Sequence, residues 1–500
     1  MKRFLWLLLL ALIIRLGVLP FTCPVEGDGA ARVFIAWKWL DHPTLFAHGV
    51  WGPLHFYMIA AALLVWFDTV YSPILLHVLL SVATVIPLWA LVRKLWDESG
   101  ALFVAAAYLF YPLLFRLSFT PLSEIPHLFF VSLTLYFLNK CRVENRLVHS
   151  ILAGLCITCG ALLRMEAWLL TPLFGLLLWR KWKLMLCYLL TASLGPIIWM
   201  TANHLNSLPF LYYLSFASYW QFEMEGFNDN VTGTEMLRRF LFFPSVLFFG
   251  LTPLLCLLSM AGLMFAWKEK KELRIWSIPF LGMLSVFMIR GVEGFITTQE
   301  RFSLILGLLL LPFSAEAIGR IKDRRKKLMV AVLTILSLFP FAYSRIVIAR
   351  VAGPDFPNPV PANMEAFPKL THETREIARL VQAHASEGVM ILDFFGHRDF
   401  YGWKDTLYVA FMSRIHPDKM LMMPGGLRQP LSHESAVRFL QTYSSGLLVR
   451  SDHSRFIRLD SSFDGITAQI DDLDFALHLK PIATVKSITL YHYTVSARQN

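Results

Sequence analysis

Twelve apolar runs follow one another near the start of the chain, at 4–20, 53–67, 73–92, 101–117, 122–138, 148–163, 167–179, 184–201, 241–266, 275–289, 302–319 and 328–348. About 20 apolar residues in helical conformation match the ~30 Å hydrocarbon thickness of a bilayer. A succession of such runs cannot be covered by polar surface in water. Of the 500 residues, 56% are hydrophobic and only 16% charged, whereas soluble domains carry roughly a quarter charged residues. Most apolar residues must therefore face lipid. Beyond residue 348 the composition becomes that of an ordinary globular protein. The expected organisation is a membrane domain over 1–348, a proline-rich linker over 349–369 and an aqueous domain over 370–500.

The formal net charge is +11, but the basic residues stand in short clusters between apolar runs. That pattern marks membrane topology and excludes nucleic acid as a partner. Run 53–67 is short and opens on Trp51-Gly52-Pro53, so its reading decides the orientation of every later segment. If it lies on the outer side without crossing, Lys2/Arg3, Arg93/Lys94, Lys140/Arg142/Arg146 and Arg180/Lys181/Lys183 all face the cytoplasm. So do Lys268/Lys270/Lys271/Arg274 and the run from Arg320 to Lys327. If it crosses, every cluster after the first moves outside. The positive-inside rule selects about eleven spans plus one outer half-helix, with a cytoplasmic N-terminus and an outer C-terminal domain. Met-Lys-Arg ahead of residues 4–20 reads as an uncleaved signal anchor.

The six cysteines all lie before residue 257. Cys156 and Cys159 have redox or zinc spacing, yet they fall inside an apolar run without a second pair and read as packing residues. The sequon Asn230-Val231-Thr232 lies in an outer loop. In the C-terminal region, helical stretches near 370–386 and 432–443 alternate with strand-like 389–394, 446–450, 481–486 and 488–494, the pattern of a small α/β domain. Walker, dinucleotide-binding and nucleophile-elbow motifs are absent from this region.

In this topology the unusual polar residues gather at the outer face: Glu26, Asp28 and Arg32 in the first loop, His55 on the half-helix, Glu124, Arg164, Glu166, and Gln299-Glu300-Arg301. Ionisable residues at membrane depth are costly and mark candidate sites, although a charge at a helix end also reaches water by snorkelling. Asp28 precedes an apolar stretch with Trp37 and Trp39. It reads either as the N-cap of an interfacial helix or as a carboxylate held at the surface as a general base.

The acidic turn before an interfacial helix, Pro53-Leu54-His55-Phe56-Tyr57, Ser123-Glu124-Ile125-Pro126, Ala161-Leu162-Leu163-Arg164-Met165-Glu166 and Gln299-Glu300-Arg301-Phe302 occur in this order. Together they resemble the GT-C membrane glycosyltransferases, in particular the protein mannosyltransferase and aminoarabinose transferase branch. Each motif is short, and the specificity lies in order and spacing. Two departures stand out: Gly27 separates Glu26 from Asp28, where the family often has adjacent acids, and Gly52-Pro53-Leu54 replaces Pro-Pro-Leu.

The resemblance implies transfer of a sugar, with inversion, from a polyprenyl-phosphate donor to a lipid, glycan or protein acceptor at the outer face of a bacterial inner membrane. Asp28 would be the base, and Arg301 and Arg164 would hold the donor phosphate. Glu124 either orients sugar hydroxyls or holds one of those arginines. Arg32 either contributes to the site or pairs with Asp28. Glu26, His55, Tyr57, Glu166 and Glu300 are further candidates for lining it. Asp28, Glu124 and Glu166 are oxygen ligands suited to magnesium or manganese, but their spacing demands no metal and no cofactor is expected. The alternatives are a transporter or flippase of lipid-linked sugars, which predicts paired broken helices in repeated halves, and a non-catalytic glycan-binding relative.

Overall fold

The computed structural model describes residues 1–21, 27–45, 48–212, 215, 233–293, 299–342, 372–384, 388–393, 402–422, 433–451, 457–462, 465–470 and 475–497. Glu26, the linker 349–369 and the sequon lie outside them. Two compact units emerge: residues 1–22, 44–58 and 75–368 form the first, and residues 23–43, 59–74 and 369–500 the second. The second unit thus takes in, besides residues 369–500, two stretches of the N-terminal region that the linear division assigned to the membrane domain.

The first unit is helical. Among the described residues four helices are long and apolar enough to cross a membrane: Tyr71–Leu95, Trp182–Leu205, Glu272–Val292 and Glu300–Gly319. Shorter apolar helices include Pro53–Val65, Glu98–Phe110, Leu147–Ala161 and Glu166–Leu178. Run 241–266, expected as one span, is instead a pair, Met236–Gly250 and Pro253–Glu269, bent by 107°. The cause is local. Proline disfavours a helical conformation in the residue before it, and Thr252 sits at φ 71.

Helix Glu124–Glu144 ends on Asn145 in the left-handed conformation, φ 53, which turns the chain back into Leu147–Ala161. That helix in turn packs on Trp182–Ala192, where the Ser150 and Thr158 hydroxyls donate to the carbonyls of Leu184 and Thr191. In the first helix, fully buried Arg15 donates to the carbonyl of Leu109 at 2.7 Å and lies 4.9 Å from the Phe115 ring.

The spans differ in their surroundings. The most apolar window of Glu300–Gly319 is 89% buried, against 28% for Trp182–Leu205, so the former is enclosed by protein and the latter is left for lipid. In the last turns of Glu300–Gly319, buried Glu316 accepts from Lys270 at 2.6 Å, from the Trp96 indole at 2.9 Å and from Arg320 at 3.1 Å.

The second unit contains a seven-stranded sheet in the order β2-β1-β3-β7-β6-β5-β4. Its strands are β1 (Met390–Asp393), β2 (Met420–Met422), β3 (Ser445–Ser451), β4 (Ile457–Ser462), β5 (Gly465–Ile470), β6 (Phe475–Val485) and β7 (Ile488–Ala497). β1 pairs in parallel with β2 and β3, which requires crossovers. Helices Gly402–Ser413 and His433–Thr442 supply them. The remaining pairs are antiparallel. β6 and β7 are joined through Lys486 at φ 52, the positive φ that a two-residue hairpin needs. One face buries Ile391, Leu448, Leu477, Leu479 and Tyr491 around Tyr493. Burial pushes the Tyr493 phenol pKa up, and its hydroxyl donates to the Tyr443 carbonyl at 3.3 Å. Asp393 accepts from the Ile457 amide at 3.0 Å and Arg450 donates to the Ile457 carbonyl at 3.0 Å, fixing the start of β4.

Candidate active site

Three distant segments of the first unit bring their charges together. Ser123 precedes helix Glu124–Glu144, so Glu124 stands in its first turn. The chain leaves Leu147–Ala161 through a tight turn that carries Arg164 and begins the next helix at Glu166. Gln299 precedes the short 3-10 turn Glu300–Phe302, which presents Arg301.

Arg164 Nη1 lies 2.6 Å from Glu124 Oε1, and its Nε and Nη2 reach Glu166 Oε1 at 2.9 and 2.5 Å. Arg301 Nε lies 3.3 Å from the same Glu124 oxygen and donates to Gln299 Oε1 at 2.8 Å. The Phe302 ring stands 4.8 Å from the Arg164 guanidinium and 5.7 Å from that of Arg301, within cation–π range. Between these groups is a cavity of about 10 Å³, room for about one water. Glu124, Arg164, Glu166 and Arg301 line it together with His127 and Phe302.

Two arginines face two glutamates, so the cluster is close to neutral. An incoming anion has to take the place of a carboxylate beside one guanidinium.

Gly52 explains one departure from the family pattern. A Cβ on it would meet the carbonyl oxygens of Leu162 and Leu163 at 2.2 and 2.6 Å. The Leu54 amide donates to the same Leu162 oxygen at 3.2 Å. The motif at 52–54 and the turn carrying Arg164 are thus in main-chain contact, and only glycine fits there.

The other sequence candidates are distributed as follows. His55, fully buried, has its Nε2 2.9 Å from Nε2 of His77; one ring donates and the other accepts. Tyr57 is half-buried on the same helix. Glu300 neighbours Arg301 in its turn. None of these three lines the cavity.

Asp28 and Arg32 belong to the second unit, on helix Gly27–Asp41. Asp28 lies in the first turn of that helix, not ahead of it as an N-cap; a carboxylate there still suits the helix dipole. It is half-buried, and Arg32 is buried. His127 and Phe302 were missed in the sequence. His127 lies three residues after Glu124, hence on the same helical face, and that spacing was the available signal.

Residues 41–202 match the family model of dolichyl-phosphate-mannose-protein mannosyltransferase. No curated protein matches the chain by sequence. Among solved structures, the chain is similar to ArnT from Cupriavidus metallidurans bound to undecaprenyl phosphate, with a TM-score of 0.59 and 12% identity over 98% of this chain and 97% of that one. The apo state of the same protein gives 0.57 and 12% over the same shares. The oligosaccharyltransferase of Archaeoglobus fulgidus, tethered to an acceptor peptide, gives 0.50 and 12% over 90% of this chain and 69% of that one. The chain thus shares the mostly helical fold of ArnT along nearly its whole length, and over residues 41–202 it is similar to the mannosyltransferase family.

Proposed function

We propose that the protein transfers a sugar, with inversion, from a polyprenyl-phosphate donor to an acceptor hydroxyl at the outer face of a bacterial inner membrane. The observation that carries this reading is the enclosed cluster of Glu124, Arg164, Glu166 and Arg301 around a cavity in a GT-C fold. The undecaprenyl phosphate bound to the ArnT relative supports a lipid phosphate as the donor's carrier.

In the proposed reaction the acceptor oxygen attacks the anomeric carbon as the bond from that carbon to the phosphate oxygen breaks. Asp28 takes the acceptor proton. The polyprenyl phosphate leaves as an anion and needs no general acid. Arg301, with Arg164 behind it, neutralises the charge that develops on it. Glu124 keeps the two guanidinium groups oriented until the phosphate arrives. The arginines supply the positive charge that a divalent cation would otherwise bring, so we assign no metal. The accompanying topology is about eleven spans and an outer half-helix, with residues 370–500 on the outer side, as the positive-inside distribution requires.

The test is transfer by purified full-length protein from labelled polyprenyl-phosphate sugars to a membrane extract. Asp28→Asn keeps the size of the side chain and removes its basicity. We expect a loss of at least about a hundredfold in rate with folding intact. Equal transfer by both proteins would remove Asp28 as the base.

A further inference from the structure

The helix that carries Asp28 is gripped along one face by a short segment far away in sequence. Phe34, Trp37, Lys38 and Asp41 recur at the i, i+3, i+4, i+7 spacing of a single helical face. Each meets a residue between Phe411 and Asp418. Phe34 lies edge-on to Phe411, with centroids 6.2 Å apart. Trp37 meets the His416 ring at 4.8 Å and 90°. Asp41 Oδ2 is 2.9 Å from His416 Nε2, and the Lys38 ammonium pairs with Asp418.

The same segment reaches a second place. Arg414, left-handed at φ 58, lies 2.7 Å from Asp68 Oδ2. The other Asp68 oxygen accepts from the amides of Val70 and Tyr71 at 2.9 and 2.8 Å. Phe67, beside Asp68, stacks edge-on against Trp37 at 5.5 Å. All these residues belong to the second unit. A non-glycine residue held at positive φ is strained, and here the strained turn aims the side chains of Arg414 and His416 at two different targets.

We propose that residues 411–418 are a positioning strap for Asp28: by fixing the last two turns of Gly27–Asp41 they set the rotation and depth of its first turn, about 9 to 20 Å away along the helix. This inference rests on the reading of Asp28 as the general base. It gives the segment 411–418 a role in catalysis that involves no contact with substrate. Asp41, His416 and Asp418 also bring three potential metal-ligand atoms within 4.8 Å of one another. The ammonium of Lys38 already occupies the cation's place beside Asp418, and the cluster is therefore read as a clamp.

The experiment uses the full chain in detergent, with Lys38→Glu, Asp418→Lys, the double charge swap, His416→Ala and Asp28→Asn. The ion pair is exposed, so the single variants should fold. We expect each of Lys38→Glu, Asp418→Lys and His416→Ala to lower kcat about three- to tenfold with donor KM within about twofold, because misplacing a catalytic group costs rate more than binding. The swap should return kcat to within about twofold of wild type. Hydrogen exchange of residues 30–38 should accelerate in the single variants and recover in the swap.

Faster exchange with kcat unchanged would overturn the inference, as would single variants with unchanged exchange. Zinc that raises the melting temperature of wild type but not of His416→Ala would replace the clamp with a metal site. If Asp28→Asn transfers at the wild-type rate, the base assignment has failed and this role of the strap with it. If Asp28→Asn is inactive and the strap variants are not impaired, only the strap has failed.

Discussion

Span Glu300–Gly319 has a buried carboxylate at each end. At its start Arg301 meets Glu124; fifteen residues on, about 22 Å along a helix, Glu316 meets Lys270 and Arg320. The two glutamates are equally buried, at 3% and 4% exposure, and among the described residues each pairs with at least two cations. The cations differ. Arg164 and Arg301 are 11% and 14% exposed, whereas Lys270 and Arg320 are 47% and 32% exposed. At the Glu316 end a carboxylate is tied to cations that remain in reach of water, and an indole completes its shell; this is an anchor. At the Glu124 end the cations are themselves largely withdrawn from water, and they line a cavity together with the acids. A buried acid with partners is therefore no sign of a site by itself. What distinguishes the two ends is how far the partners are withdrawn from water.

The comparison is broken most directly by making the same substitution at both ends. Glu124→Gln should lower transfer about a hundredfold, since it removes the one carboxylate that both guanidinium groups share. Glu316→Gln should leave transfer within about threefold and instead lower stability by about 1–3 kcal/mol, the cost of weakening a buried charged hydrogen-bond network. Thermal unfolding in detergent alongside the transfer assay separates the two, and equal losses of transfer would erase the distinction.

A smaller effect sharpens the roles within the first cluster. Arg301→Lys keeps the charge but loses the fork, and kcat/KM for the donor should fall about tenfold; an unchanged value would move the phosphate contact to Arg164 alone. The smallest effect is expected from EDTA: initial rates with and without the chelator should agree within about twofold. A rate that collapses and is restored by magnesium or manganese would put a cation where the arginines are assigned.

Much of this was legible in the sequence because it depends on chain-local rules. Glu124, Arg164 and Arg301 each follow or open an apolar run, and a topology that sends basic clusters inward leaves them on one face. Their convergence on a single oxygen of Glu124 was not legible, since it depends on how helices pack. Glu316 was missed: it stands within run 302–319, and its partner Lys270 belongs to a cluster explained by topology alone. The break at Thr252 was visible in Pro253 yet outweighed by continuous hydropathy. In the second unit, helix Gly402–Ser413 opens on glycine and mixes lysine and aspartate with aromatics, and β4 and β5 are short and rich in polar residues. Their periodicity is weak, and the sheet supplies the order that their sequences do not.

Gly52 carries a mechanical consequence. Where its Cα rests on the carbonyls of Leu162 and Leu163, two backbones touch with no side chain between them to flex. A rotamer can yield and absorb a displacement, but a peptide plane pressed against another passes it on. The turn bearing Arg164 and the start of helix Pro53–Val65 form a linkage without slack. A displacement of the turn bearing Arg164 is therefore passed to the helix that carries His55, and through it to the hydrogen bond between the two imidazoles.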